Sequence, residues 1–154
     1  MIRLGTTDDL SRAVEMLRDS RAGAGFDDPQ GPSGFVFPFV PACAARLFAR
    51  YVDAPSMLCL VYEVDDGTVQ GLLLAHAFEH DFGPVRLAQE RVWWIDPTWR
   101  GNAAMRMLDA YERWARVEHC VFAGMAGMGD DPDVAALYLR RGYRAAEKHF
   151  LKVL

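Results

Sequence analysis

The chain has no long apolar run. No window approaches about 18 consecutive apolar residues, so no membrane-spanning helix is expected and no membrane partner with it. Its start, MIRLGTTDDLS, has no apolar stretch behind a basic one, which speaks against a secretory leader and makes the cytoplasm the default location. Cysteine is scarce. Cys43, Cys59 and Cys120 are odd in number and far apart, with no CxxC or CxxH pair, so neither a disulfide framework nor a zinc site is expected, and no metal. Cys59 in MLCLVY and Cys120 in HCVFAG read as small buried hydrophobes. A basic excess is missing too: 17 basic residues face 21 acidic ones, for a net charge of −4. A sequence-independent nucleic-acid binder needs a basic field, so nucleic acid is not an expected partner. The local exception is the end of the chain, where Arg140, Arg141, Arg144, Lys148 and Lys152 stand against Glu147. That edge suits a small polyanion as readily as it forms a plain solvated rim.

What is present is ordinary for a globular protein: 51% hydrophobic and 25% charged residues. Area scaling for this mass predicts a folded surface of roughly 7,800 Å² against roughly 25,000 Å² for the open chain, enough burial for a core without staples. No repeat, low-complexity tract or linker divides residues 1–154, which read as a single domain.

Met1–Leu4 reads as a short strand. Thr7 has the character of an N-cap, with Asp8 and Asp9 in a first turn whose dipole favours acids. Leu10, Ala13, Val14 and Leu17 follow at helical spacing, which predicts a helix to about Asp19. Residues 23–34, GAGFDDPQGPSG, are a loop, and the proline-broken FVFPFVP cannot be a central strand. A second helix is predicted over Ala42–Val52. Then come strands at Ser56–Val64, Thr68–Glu79 and Arg86–Ile95, with Asp65-Asp66-Gly67 as a hairpin turn. Beyond Asp96-Pro97 the pattern alternates: helix over Gly101–Val117, extended Cys120–Met125, helix over Asp133–Arg141 with Pro132 at a first helical position, extended Tyr143–Leu154. A meander followed by crossovers predicts an α/β (α+β) fold on a mixed sheet.

The stretch WWIDPTWRGNAAMRMLDAYERWARV carries the chemistry. An apolar strand stops at Asp96-Pro97, a loop with Arg100-Gly101-Asn102 follows, and an amphipathic helix begins with Met105, Leu108, Tyr111 and Ala115 on its buried face. First-turn amides have no partner within a helix, and the dipole adds partial positive charge, so such a start is an anion site that a pyrophosphate would fit. Many βα loops share these features.

This segment resembles the GCN5-related N-acetyltransferases, the GNAT superfamily. That family's acetyl-CoA motif is Arg/Gln-x-x-Gly-x-Gly/Ala. Arg100 takes its first place, Gly101 and Asn102 the next two, while Ala103 and Met105 stand where the two glycines are expected. Backbone amides bind the phosphates, so Ala103 keeps its donor, and Met105 either narrows the groove or turns inward to the core. The later stretch ALYLRRGYRAAEKHFLKVL is similar to the family's closing pattern, with Tyr138 at its tyrosine and Gly142-Tyr143 at its Gly-Phe. The resemblance implies a mixed, mostly antiparallel central sheet of about six or seven strands flanked by about four helices. It implies acetyl-CoA as co-substrate, held by Trp94 and Ile95 on the strand and by Arg100, Gly101, Asn102, Ala103, Ala104 and Met105 on the loop and helix start. It implies N-acetyl transfer to a primary amine of a small molecule or a protein.

Acetyl transfer needs a base for the amine, a donor for the oxyanion and a proton for the departing thiolate. Tyr138 is the candidate general acid; the plain alternative is a helix tyrosine packed between Leu137 and Tyr143. Glu90 is the candidate base, an acid in an apolar strand where burial would raise its pKa; the plain alternative is an outward residue paired with Arg86 or Arg91. Glu79, His80 and Asp81 form a polar turn that could bind the amine or simply cap a hairpin. His76 and His119 read as structural, and Asp131 as a helix cap. Residues 20–55 and 79–86 are expected to form the acceptor side, with Phe26, Phe35, Phe37, Phe39 and Phe82 as apolar lining. A homodimer is compatible with the exposed strand edge. The alternative to an enzyme, favoured by the loss of both motif glycines, is a binding or structural module on the same fold.

Overall fold

The computed structural model describes residues 1–31, 33–127, 132–147 and 149–154. Five strands form one sheet in the order β1 (Ile2–Leu4), β2 (Met57–Glu63), β3 (Val69–Glu79), β4 (Arg86–Ile95) and β5 (Phe122–Gly124). The first four are antiparallel neighbours, and β4 pairs β5 in parallel. Four helices flank it: α1 (Leu10–Gly23), α2 (Pro41–Asp53), α3 (Asn102–Val117) and α4 (Pro132–Arg140).

Period-two alternation divides the strands between two cores. Cys59, Val61, Leu72 and Leu74 pack against Ala13, Met16 and Leu17 of α1 and Ala44, Phe48 and Tyr51 of α2. Leu58, Leu60, Leu73 and Ala75 face the other way, against Ala103, Met107, Leu108, Tyr111 and Ala115 of α3. Leu72, Leu73 and Leu74 are fully buried, the first and third on one face and the second on the other. Truncating any of them to alanine is expected to cost about 2–5 kcal/mol. Burial lifts the Cys59 thiol to about 12, so it packs as a small hydrophobe, as expected.

Local chemistry shapes the ends of the elements. Thr6, not Thr7, starts the first turn: its N–H donates to the Asp9 carboxylate at 2.8 Å. Arg3 holds that carboxylate from the other side at 2.8 and 2.9 Å, which depresses its pKa. The helix behind this turn runs past Asp19 to Gly23. α4 ends in a Schellman closure, with the Tyr143 N–H on the Tyr138 carbonyl at 3.0 Å, the Gly142 N–H on the Leu139 carbonyl at 3.1 Å, and Gly142 at φ +86°.

Two expectations are corrected. The sheet has five strands among the described residues, because the run from Tyr143 to Leu154 forms no strand there. Phe150, Leu151, Val153 and Leu154 stay exposed, and the total accessible area is 9914 Å², above the value that compact scaling predicts. On α3 the buried stripe is set by Ala103 and Met107; Met105 is half-buried and belongs to neither core.

Candidate active site

β4 is read differently by its two neighbours. Its register with β3 shifts once: Leu74 lies opposite Val92 and Ala75 opposite Glu90, so Arg91 is an extra residue. A bulge of this kind changes which backbone groups face which side. Below it, the Arg86 carbonyl accepts the Val121 N–H at 3.0 Å, so even-numbered residues present their backbone to β5. Above it, the Asp96 N–H donates to the Gln70 carbonyl on β3 at 2.9 Å. By antiparallel alternation Trp94 and Val92 are then turned toward β3, while Trp93 and Ile95 are turned outward. The β5 register covers only Leu87, Ala88 and Gln89. Among the described residues the outward backbone of Trp93 and Ile95 therefore has no partner strand and opens on a gap. The sequence pointed to Trp94 and Ile95; the register turns the backbone of Ile95 outward together with that of Trp93, and that of Trp94 toward β3.

Trp94 has a different task. Its indole N–H donates to Asp96 Oδ1 at 2.8 Å, and Arg12 of α1 pairs with the same carboxylate and donates to the Val69 carbonyl at 2.9 Å. The end of β4 is thus tied to α1. The Arg100 guanidinium lies 5.2 Å from the Trp94 ring centre, and its Nε donates to the Ile95 carbonyl at 3.1 Å. That leaves the Ile95 N–H as the group aimed at the gap.

Asp96 is extended, as a residue before proline must be, and a short turn over Pro97–Trp99 leads into Gly101. Gly101 sits at φ +87°, ψ −111°, a conformation that side chains resist. It delivers the chain into α3 with no side-chain cap and no acid in the first turn. The positive end of the helix is therefore not neutralised from within, and Asn102, Ala103 and Ala104 supply its first amides. Ala103 is buried and small.

Glu90 is 8% exposed and its carboxyl is pushed up to about 7, first by burial and against the opposing pull of the Ala126 N–H and of Arg91. It does not pair with Arg86, which binds Glu118 at 2.9 Å and Ser56 at 2.6 Å. Its Oε2 accepts the Ala126 N–H at 3.0 Å. Tyr138 of α4 donates its hydroxyl to the Ala126 carbonyl at 3.1 Å. The two candidate catalytic side chains thus meet at the two ends of one residue, just past β5. Tyr138 is held there by rings on both sides, Trp93 at 6.2 Å and Tyr143 at 5.7 Å. Tyr143 in turn reaches Glu112 of α3 at 3.3 Å, and Arg141 binds Asp109 at 2.5 Å, so the end of α4 is clamped onto α3. Trp93 Nε1 is buried with no hydrogen-bond partner among the described residues.

The α2 side of the bulge holds a second group. Tyr51 is buried, and its hydroxyl meets His76 Nδ1 at 3.3 Å. Burial, Arg91 and Arg50 all favour neutral His76. The sequence reading missed Trp93, Ala126 and this pair. A backbone contribution such as that of Ala126 leaves no mark in the sequence, whereas the doubled tryptophan and a histidine inside an apolar strand were visible signals. Glu79, His80 and Asp81 lie away from the gap, at the tip of the β3–β4 hairpin, where His80 Nδ1 accepts the Phe82 N–H at 3.1 Å. Asp131 and Lys148 lie outside the described residues.

The profile of the acetyltransferase (GNAT) family matches residues 28–143. No curated protein matches the chain in sequence. Among solved structures it is similar to a ribosomal-protein-alanine N-acetyltransferase from Brucella melitensis biovar Abortus, with TM-score 0.72 and 16% identity over 100% of this chain and 99% of that one. It is similar to a predicted acetyltransferase from Clostridium acetobutylicum solved with acetyl-CoA, with TM-score 0.75 and 14% identity over 100% and 95%. It is also similar to an aminoglycoside 6'-N-acetyltransferase from Acinetobacter haemolyticus, with TM-score 0.73 and 17% identity over 100% and 99%. At such identities the likeness speaks for the fold.

Proposed function

The chain belongs to the acetyltransferase (GNAT) family, and from that premise we propose that it moves an acetyl group from acetyl-CoA to a primary amine of a small molecule or a protein by direct attack. The observation that carries this reading is the meeting of Glu90 and Tyr138 at Ala126, at the foot of the gap onto which Trp93 and Ile95 face. The residues present fit the co-substrate. An uncapped helix start without acids suits a diphosphate, and outward strand amides suit the amide-bearing pantetheine arm.

Acetyl-CoA supplies a thioester, whose carbonyl carbon bonds the amine nitrogen as the carbon–sulfur bond breaks. Glu90 accepts the proton that the amine must lose; a carboxyl near 7 is matched to that task at neutral pH. The Trp93 and Ile95 N–H groups face the position where negative charge develops on oxygen. Tyr138 donates its phenolic proton to the departing sulfur. Arg100 braces the Ile95 carbonyl and so fixes the last outward amide. The Asn102, Ala103 and Ala104 amides hold the diphosphate, with Gly101 setting their direction and Met105 at the rim.

Thiol release from acetyl-CoA over a panel of amines, together with a thermal shift, tests the reading. Saturable release and stabilisation by about 2.7 kcal/mol at one hundred times the dissociation constant are expected. Stabilisation without release for any amine would replace it by the non-catalytic module on this fold. Neither stabilisation nor release would remove both.

A further inference from the structure

Among the described residues Tyr111 of α3 is the largest side chain that is wholly buried, and no step of the proposed reaction uses it. Its ring belongs to the core under α3, stacked on Trp114 with ring centres 6.3 Å apart. A phenylalanine would serve for that. The hydroxyl does something more: it donates to the Gly124 carbonyl at 2.9 Å. Burial, reinforced by Tyr143 and Glu90, holds this phenol far above its ordinary pKa, so it is a donor at every working pH.

The bond falls where the sheet lets go of β5. The two strands pair at Leu87–Phe122, Ala88–Ala123 and Gln89–Gly124, and no further among the described residues. Gly124 lies close against β4 because it has no side chain; a Cβ there would run into the Gln89 amide. Two residues on stands Ala126, whose N–H meets Glu90 Oε2 at 3.0 Å and whose carbonyl accepts the Tyr138 hydroxyl at 3.1 Å. Two residues of chain reach at most about 7 Å, so the Ala126 peptide is on a short tether from the Gly124 carbonyl. Whatever fixes that carbonyl limits where the groups of Ala126 point.

We propose that Tyr111 is a positioning residue: by holding the Gly124 carbonyl it fixes the Ala126 peptide, so that its N–H stays on Glu90 and its carbonyl on Tyr138. Base and acid are then set relative to each other by one phenol buried under α3. The kinetic consequence rests on the acetyl-transfer reading; the structural one does not.

Tyr111→Phe in the full chain keeps the ring and its stack and removes only the donor. Residue-resolved amide exchange without any substrate gives the first readout. The Ala126 N–H is expected to exchange about tenfold faster or more, while the Val121 N–H, bonded to the Arg86 carbonyl, stays within about twofold. Steady-state kinetics with acetyl-CoA and an accepted amine give the second. The Ala126 N–H favours the ionised form of Glu90, so the limb of kcat/KM that rises near 7 is expected to move up by about half a unit or more. A misplaced acid and base are expected to lower kcat about tenfold or more, with the KM for acetyl-CoA within about twofold. Met107→Ala is the control for general loosening of the core: it lies one turn earlier on α3, with its sulfur at Gly71 of β3. It is expected to destabilise the chain yet leave the limb and the ratio of Ala126 to Val121 exchange as in wild type. Unchanged Ala126 exchange in Tyr111→Phe, or faster exchange with an unmoved limb, overturns this inference alone. So does the same response in Met107→Ala. Absence of turnover by the wild-type chain with every amine overturns the acetyl-transfer reading, and the exchange contrast then decides whether Tyr111 fixes Ala126.

Discussion

The two halves of β4 make an instructive pair. From Leu87 to Gln89 the strand is paired on both sides, with β3 and with β5, and its job is architectural. From Val92 to Ile95 it is bonded, among the described residues, on one side only, and the freed backbone faces the gap between strands. The change happens at one inserted residue, Arg91. Without it, alternation would carry the same parity along the strand and put the outward groups on Val92 and Trp94. The extra residue also sets the buried carboxyl of Glu90 beside the cation of Arg91. The freed backbone arises from a break in a regular pattern, and the regular half holds the irregular half in place.

The sharpest way to break that contrast is at the side chains where it ends. Tyr138→Phe keeps the rings on Trp93 and Tyr143 but removes the proton donor. Loss of a positioned acid is expected to lower kcat about 100-fold or more, with the KM for acetyl-CoA within about twofold. Steady-state kinetics in both substrates check it, and an unchanged kcat would leave Tyr138 as packing only.

Glu90→Gln tests the buried carboxyl from two directions. The limb of kcat/KM that rises with pH near 7 is expected to vanish. Stability gives the second readout. Between the ordinary carboxyl value near 4.5 and about 7, the unfolded chain has released its proton while the folded one keeps it, so wild-type stability falls as pH rises through this window. Glutamine carries no such loss. The variant is therefore expected to gain about 3 kcal/mol on wild type between pH 4 and pH 8, measured by denaturant unfolding at both values.

Gly101→Ala meets no steric neighbour, so its cost is conformational. At φ +87° it is expected to destabilise by about 1–3 kcal/mol or to redirect the first amides of α3, which weakens acetyl-CoA binding either way. The smallest effect is expected at the brace that ties the end of β4 to α1: Arg12→Ala removes the pair with Asp96 and the bond to Val69, for about 1–2 kcal/mol by thermal unfolding and no change in kcat.

Much of this was legible in the residues. The period of 3.6 in α3 and the apolar run of β4 located both elements within a residue of their observed bounds, and the Asp-Pro and Arg-Gly steps marked the loop between them. Glu90 stood out because a carboxylate in an apolar strand must be explained. The bulge was not legible: Val92, Trp93 and Trp94 are apolar in succession, so no alternation remains from which to detect an extra residue. Met105 and Met107 are chemically alike, and only the observed helix phase decides which one enters the core. The last segment carried the composition of a strand, but composition does not provide a neighbour to bond to.

The central claim is that the N–H groups of Trp93 and Ile95, and the first amides of α3, are the ones that receive acetyl-CoA. Residue-resolved amide hydrogen exchange with and without acetyl-CoA tests it most directly. Trp93, Ile95, Asn102, Ala103 and Ala104 are expected to gain protection, while Val92 and Trp94, already bonded to β3, stay unchanged. Protection that appears at Val92 and Trp94 instead, or at none of these amides while acetyl-CoA binds, would contradict the account.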